Sequence, residues 1–178
     1  MTQYFAYQRF KLWRAPLPTR VLLTLFNASV VLATAVGILM YRVRTGLTAG
    51  GAQRYYLGNE TSAAPGDEMQ FARSFKELLD VTHAHAFSQP FLFFVLCHIF
   101  ALTRASDSVK IVVYVVSFAS VLVDLGVPYL IRFVSPAWAA LQVANSVVMT
   151  VVLLVLLWVP THEMWWYREP AAVEGPRT

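Results

Sequence analysis

The segment Phe71–Thr103, FARSFKELLDVTHAHAFSQPFLFFVLCHIFALT, joins an amphipathic stretch to a strongly apolar one. In its first part the apolar residues fall on one helical face and the charged residues fall elsewhere, which predicts an amphipathic helix over 71–85 lying on a bilayer surface. The second part, 86–102, is apolar enough to predict a transmembrane helix that carries Pro90 in its first turn. This segment therefore indicates an integral membrane protein.

Three further apolar runs predict three more transmembrane helices, because each approaches the roughly 20 residues that cross the hydrocarbon of a bilayer. They cover 21–41, 111–131 and 137–159. The last three spans are joined by short polar connectors, so consecutive helices should run side by side in opposite directions. We predict an all-α integral membrane protein, with four transmembrane helices in an antiparallel bundle and one interfacial amphipathic helix in a long first loop.

The composition agrees with a membrane protein and excludes several other classes. Of the 178 residues, 57% are hydrophobic and 13% are charged, whereas soluble domains carry about 25% charged residues. The net charge of +4 is typical of basic loop ends beside membrane spans, so we do not expect nucleic-acid binding. Cys97 is the only cysteine, which excludes an intrachain disulfide and a cysteine-based zinc cluster.

The regions outside the spans have distinct compositions. Residues 1–20 are basic and aromatic, as expected of a segment at the membrane surface. Residues 42–70 form a long extramembrane loop, and residues 160–178 carry an aromatic belt followed by a disordered end. The basic amino-terminal segment favours an orientation with both termini in the cytoplasm. No organelle signal stands out, so we expect a bacterial inner membrane.

Two histidines, His83 and His85, lie beside Asp80 where the amphipathic helix meets the second span. If the chain bends there, both imidazoles can turn to one ion, with Asp80 as a further ligand or as a group that orients them. Neutral imidazole suits copper, zinc or iron, so the cluster predicts a metal site. The alternative is a pair of interfacial histidines that hydrogen-bond loop backbone and water.

His98 is predicted to lie within the hydrocarbon, where an ionisable side chain is costly unless it finds a partner. One interpretation is a neutral imidazole bonded to Asp124, Asn145 or a backbone carbonyl. The other is an axial ligand of haem b.

The spacing of the histidines along this segment favours haem. His98 lies thirteen residues after His85 and fifteen after His83, which places the rings roughly 20 Å apart along a helix. This spacing resembles the stacked-haem arrangement of transmembrane b-type cytochromes, in which two histidines on one helix serve haems near opposite faces. Matching histidines on a second helix are missing. His162 either pairs with His98, if the last helix continues past Pro160, or lies at the surface. The outer haem would need another type of ligand or a second copy of the chain across a dimer interface.

Asp124 lies inside the third predicted span, close to Pro128. A membrane-embedded acid beside a helix kink suits a proton relay or an ion site. It also suits a counter-ion for Arg132, or a protonated carboxyl group bonded to a neighbouring helix.

The sequence leaves three hypotheses of function. The first is a small membrane subunit that binds haem b or a transition metal through its histidines and serves electron transfer in a larger complex, with a partner subunit or quinone exchanging electrons. The alternative is a cofactor-free accessory subunit of a respiratory or photosynthetic complex. The third is a proton-coupled transport subunit that uses Asp124 and His98. Expected partners are the lipid bilayer and other membrane subunits or a second copy, and we do not expect the chain to be an enzyme on its own.

Overall fold

The computed structural model describes residues 11–60 and 69–168, and every regular element in these residues is helical. The α-helices, in chain order, are α1 (Leu17–Thr45), α2 (Ala49–Leu57), α3 (Phe75–Ala101), α4 (Asp107–Phe133) and α5 (Ala139–Trp165). Single 3-10 turns precede α1, at Leu12–Arg14, and α5, at Pro136–Trp138. All of the helices except α2 are long and apolar enough to cross a membrane. The prediction of an all-helical membrane protein with four spans is thus confirmed.

The amphipathic stretch and the second span form one helix, α3, where the sequence predicted two. The helix begins at a capping box, in which the Ser74 hydroxyl accepts from the backbone N–H of Glu77 and the Glu77 carboxylate accepts from that of Ser74. No glycine or proline interrupts the following residues before Pro90, which is tolerated inside the helix. At about 1.5 Å per residue, the 27 residues of α3 span about 40 Å, about 10 Å more than the hydrocarbon of a bilayer.

The first loop contains a short helix, α2, at a place that the sequence analysis did not predict. Helix α1 extends to Thr45 and ends at Gly46, whose φ of 59° is left-handed and whose N–H donates to the carbonyl of Arg42. The Thr48 hydroxyl then accepts from the Gly51 N–H at 3.0 Å and starts α2. The short helix of the first loop therefore lies at 49–57, not at 71–85.

Helix α4 lies between α3 and α5, and these three helices form the main core. Its fully buried side chains include Phe93, Leu96, Phe100, Val121 and Leu156. Helix α1 stands to one side of them. Only 11% of its most apolar window is buried, against 33% in the last span, so most of α1 faces lipid or open space between helices.

The first and the last described residues meet at the same end of the bundle. The rings of Trp13 and Tyr167 lie 5.3 Å apart, and the Arg104 guanidinium lies 4.1 Å from the Tyr167 ring. The backbone N–H of Arg104 also donates to the Glu163 carboxylate at 2.9 Å. Helix α5 reaches these contacts because it continues through Pro160 to Trp165, beyond the predicted end at residue 159.

The opposite end of the bundle carries α2 and the first turns of α3, and we call it the α2 end. Three of the predicted segments outside the spans lie partly outside the described residues, at 1–10, 61–68 and 169–178, and the predicted disordered end falls in the last of these. Which side of the membrane the termini face stays a prediction.

Candidate functional site

Polar side chains extend from the α2 end of the bundle inward as far as Asp124. Asp124 lies nine residues before the end of α4 at Phe133, about 14 Å along the helix. A carboxyl group at that depth is costly unless other groups bond to it, and it usually marks a functional site.

Two glutamine amides bond to the two oxygens of the Asp124 carboxyl group. Gln89 of α3 donates from Nε2 to Oδ2 at 2.9 Å, and Gln142 of α5 donates from Nε2 to Oδ1 at 3.3 Å. The same Gln89 nitrogen lies 3.1 Å from Nδ1 of His85, one turn nearer the α2 end. Because Gln89 is a donor here, the imidazole accepts at Nδ1. His85, Gln89, Asp124 and Gln142 thus form one polar network across α3, α4 and α5.

This network contains more hydrogen-bond acceptors than donors. The side-chain carbonyl oxygens of Gln89 and Gln142 are both buried, and neither has a hydrogen-bond partner among the described residues. Nearly all buried polar atoms in folded proteins have a partner, so two unpaired oxygens beside one carboxyl group need an explanation. A hydrogen-bond donor that reached these oxygens would satisfy them.

The polar network opens into a cavity of about 900 Å³ between α1 and the other spans. The cavity is lined by His85 of α3, Asp124 of α4 and Gln142 of α5. Much of the remaining wall is apolar or aromatic and includes Gly37 and Tyr41 of α1. The Tyr41 hydroxyl is also buried and has no partner among the described residues. Because the middle of α1 makes few contacts, the cavity is bounded on that side by one loosely packed helix.

Helix α2 covers the cavity at its aqueous end. Tyr55 and Tyr56 line the wall from α2, and α2 itself packs on α4 and α5. Burial raises the pKa of the Tyr56 hydroxyl well above its usual range, and the neighbouring Tyr55 and the Asp124 carboxylate raise it further. Tyr56 therefore remains a neutral hydroxyl group beside the cavity.

The predicted histidine ligands do not lie together. All three histidines are exposed on α3, but only His85 lines the cavity, whereas His83 and His98 lie outside it. Fifteen residues separate these two, which places them within about 60° of each other around the helix and about 22 Å apart along it. In the part of the chain that the structure describes, no three His, Cys, Asp or Glu side chains are close enough to hold a metal ion.

The other predicted site residues have separate surroundings. His98 lies against Phe94, with ring centroids 5.1 Å apart, and His162 forms a cluster with Trp158 and Trp166, whose ring centroids lie 6.2 and 5.8 Å from its own. His98 is thus joined neither to Asp124 nor to His162, although α5 does continue past Pro160.

Asn145 and Asp80 also differ from the roles considered for them. Asn145 is buried and donates to the backbone carbonyl of Ser120 at 2.9 Å, which ties α5 to α4. Asp80 is exposed and lines the cavity on the side of α3. Neither residue contacts the Asp124 carboxyl group through a hydrogen bond.

The sequence analysis assigned no role to Gln89 or Gln142. Polar residues in apolar helices are a signal in themselves, because each must find a partner in the absence of water. Their convergence on one carboxyl group depends on the depth at which three separate helices pack, which one sequence does not reveal.

The family match covers most of this site. The model of a family described as a transmembrane helical domain, Aq_1264_TM, matches residues 46–171. The chain belongs to the Aq_1264_TM family. No curated protein and no solved structure matches the chain.

The region matched by the Aq_1264_TM family begins at Gly46 and contains α2 to α5. All members of the Asp124 network therefore lie inside the Aq_1264_TM domain, whereas α1, which supplies one wall of the cavity, lies before it.

Proposed function

We propose that this chain is a membrane subunit that binds a quinol, or a similar amphiphile with ring hydroxyl groups, in the cavity beneath α2. The excess of acceptors around Asp124 is the observation that carries the proposal. The carboxyl group and the unpaired oxygens of Gln89 and Gln142 are all acceptors. Hydroxyl groups of a ligand are the donors that such a cluster lacks.

The walls of the cavity suit a ligand that has a polar head and an apolar tail. Apolar and aromatic side chains form much of the lining, and polar groups lie both around Asp124 and at the α2 end, where Arg44, Arg73 and Glu77 contribute. In the middle of α1, Leu32, Val36 and Leu39 are 67%, 56% and 59% exposed. A ligand tail can therefore leave the cavity along α1 and remain in the hydrocarbon.

Asp124 and His85 would exchange a proton with the bound head group. A ligand hydroxyl that donates to the Asp124 carboxylate is placed for proton transfer to it. His85 lies nearer the aqueous end of the same cavity and is the next group that can carry a proton. Electrons from such a ligand would pass to a redox partner, which agrees with a subunit of a larger respiratory or photosynthetic complex.

Binding of a quinol and of its quinone should differ in the native protein. We expect purified protein in lipid nanodiscs to bind a short-tailed quinol more tightly than the oxidised quinone, which has only acceptors to offer. Asp124→Asn should lower quinol affinity about tenfold, because a hydrogen bond to a charged acceptor is lost, and should leave quinone affinity nearly unchanged. Equilibrium binding, corrected with empty nanodiscs, measures both.

The matched control for this experiment is Asp107→Asn. Asp107 is an exposed acid in the first turn of the same helix, at the other end of the bundle, so quinol affinity should not change. Equal affinity of the native protein for quinol and quinone would refute the proposal. Tighter binding of an alkylammonium amphiphile than of the quinol would assign the acceptors to a cationic ligand instead.

A haem b, copper or zinc held through His83, His85 and His98 stays a second candidate. The observation in its favour is that the His98 imidazole is exposed on α3 and makes no hydrogen bond to another described residue. Since His83 and His98 both face outward, a second copy or another subunit would have to complete the ligand set. A Soret band in the spectrum of purified protein, together with elemental analysis, tests this candidate, and a colourless preparation free of iron, copper and zinc would end it.

A further inference from the structure

A second pocket, of about 540 Å³, lies at the α2 end, next to the cavity that contains Asp124. The two share a wall, formed by Arg44, Tyr55, Arg73 and Glu77. On the far side of this wall the second pocket is lined by the end of α1 and by residues 69–73 before α3. It is therefore a separate site near the membrane surface.

Two guanidinium groups flank one aromatic ring in the shared wall. The Arg73 guanidinium carbon lies 4.5 Å from the centre of the Tyr55 ring, and that of Arg44 lies 5.7 Å from it. Both distances fall within the range of about 6 Å for a cation–π contact, which favours these positions of the two guanidinium groups.

The charges of these groups are only partly balanced. One nitrogen of Arg73, Nη1, bonds to the Glu77 carboxylate at 3.1 Å, while its Nε is buried and has no hydrogen-bond partner among the described residues. In the same part of the chain, no carboxylate is paired with Arg44. The described lining residues thus carry one net positive charge and at least one hydrogen-bond donor without a partner, on Arg73.

We propose that this pocket binds a phosphate group, with the headgroup of an anionic phospholipid as its source. Arginine presents its donors in a planar fork that matches phosphate oxygens, and two of them can engage one phosphate. Basic pockets at the ends of membrane helices bind anionic headgroups in this way. Val43, Met69 and Phe71, which line the pocket, are 76%, 57% and 68% exposed, so they can contact the glycerol backbone and acyl chains.

Native mass spectrometry of the full chain in detergent tests the proposal with three probes. Dioctanoyl phosphatidylglycerol carries the phosphate and short chains, dioctanoylglycerol carries the same chains without phosphate, and inorganic phosphate carries no chains. We expect the phosphatidylglycerol adduct at the lowest ligand concentration. Arg44→Gln should weaken that adduct about tenfold, because hydrogen bonds between charged groups are lost.

The control variant is Arg42→Gln, which removes the same charge from another exposed position at the end of α1. Retained phosphatidylglycerol binding in this variant supports a specific site. Equal weakening by both variants, or equal binding of dioctanoylglycerol, overturns the proposal. Binding of inorganic phosphate as tight as that of the lipid, with the same dependence on Arg44, keeps the phosphate site but overturns its assignment to lipid. No quinol is present, so the result is independent of the proposed function.

Discussion

Replacing Gly51 with alanine should displace α2 from the end of α1 and lower the thermal stability of the protein. A Cβ atom at residue 51 would overlap the backbone carbonyl of Thr45. Backbone cannot move aside as the end of a flexible side chain can, so α2 itself must shift. The cost of such overpacking is about 1–3 kcal/mol, measurable as a lower unfolding midpoint in detergent followed by circular dichroism.

The adjacent Gly50 supplies the control, because an alanine there should not lower the unfolding midpoint. A Cβ atom at residue 50 would meet no heavy atom within 4 Å, and alanine favours a helix over glycine by about 1 kcal/mol. Gly50→Ala should therefore leave the unfolding midpoint unchanged or raise it. Equal midpoints for the two variants would contradict the close approach of α2 to Thr45. Since α2 covers the cavity, Gly51→Ala should also weaken quinol binding.

Truncating Phe93 to alanine should be among the most damaging changes in the spans. Its side chain is 2% exposed and belongs to the core shared by α3, α4 and α5. Removing a buried phenyl ring leaves a void and costs about 3–5 kcal/mol in protein cores. The expected result is a large drop in the unfolding midpoint, with loss of quinol binding if the three helices no longer align.

Phe91 tests whether that effect depends on burial and not on residue type. It lies two residues earlier on the same helix and is 65% exposed, so its ring contacts lipid. Phe91→Ala exchanges one lipid contact for another and should cost less than about 1 kcal/mol. A loss as large as that of Phe93→Ala would mean that the outer face of α3 is covered by another chain.

The apolar runs were sufficient to predict four spans, because each helix must bury its own backbone in hydrocarbon. Their ends were harder to place. Helix α5 continues through Pro160, and α3 begins at its capping box, before the apolar run. A helix can extend beyond the hydrocarbon of the bilayer, so the apolar runs do not mark the helix ends. Helix α2 was missed because its glycines and polar residues show no apolar period, and Thr48, which caps it, was the available signal.

The site was predicted less well than the fold. Asp124 stood out because an acid in an apolar span needs a partner, and it is the centre of the candidate site. The histidines drew attention because they are rare in such spans, but only His85 lies in the polar network. Gln89 and Gln142 could not be assigned from the sequence, because their bonds depend on the relative depth of α3, α4 and α5.

The packed phenylalanine and leucine side chains of α3, α4 and α5 bear on the side from which a proton could reach Asp124. On the side of Asp124 away from α2, Phe93, Phe100 and Leu156 are almost fully buried and pack together in the core of the described helices. If Asp124 takes part in the proposed proton transfer, the cavity beneath α2 is the route to its carboxyl group that the described residues line. Proton uptake and proton release at Asp124 would then both occur through the α2 end of the bundle.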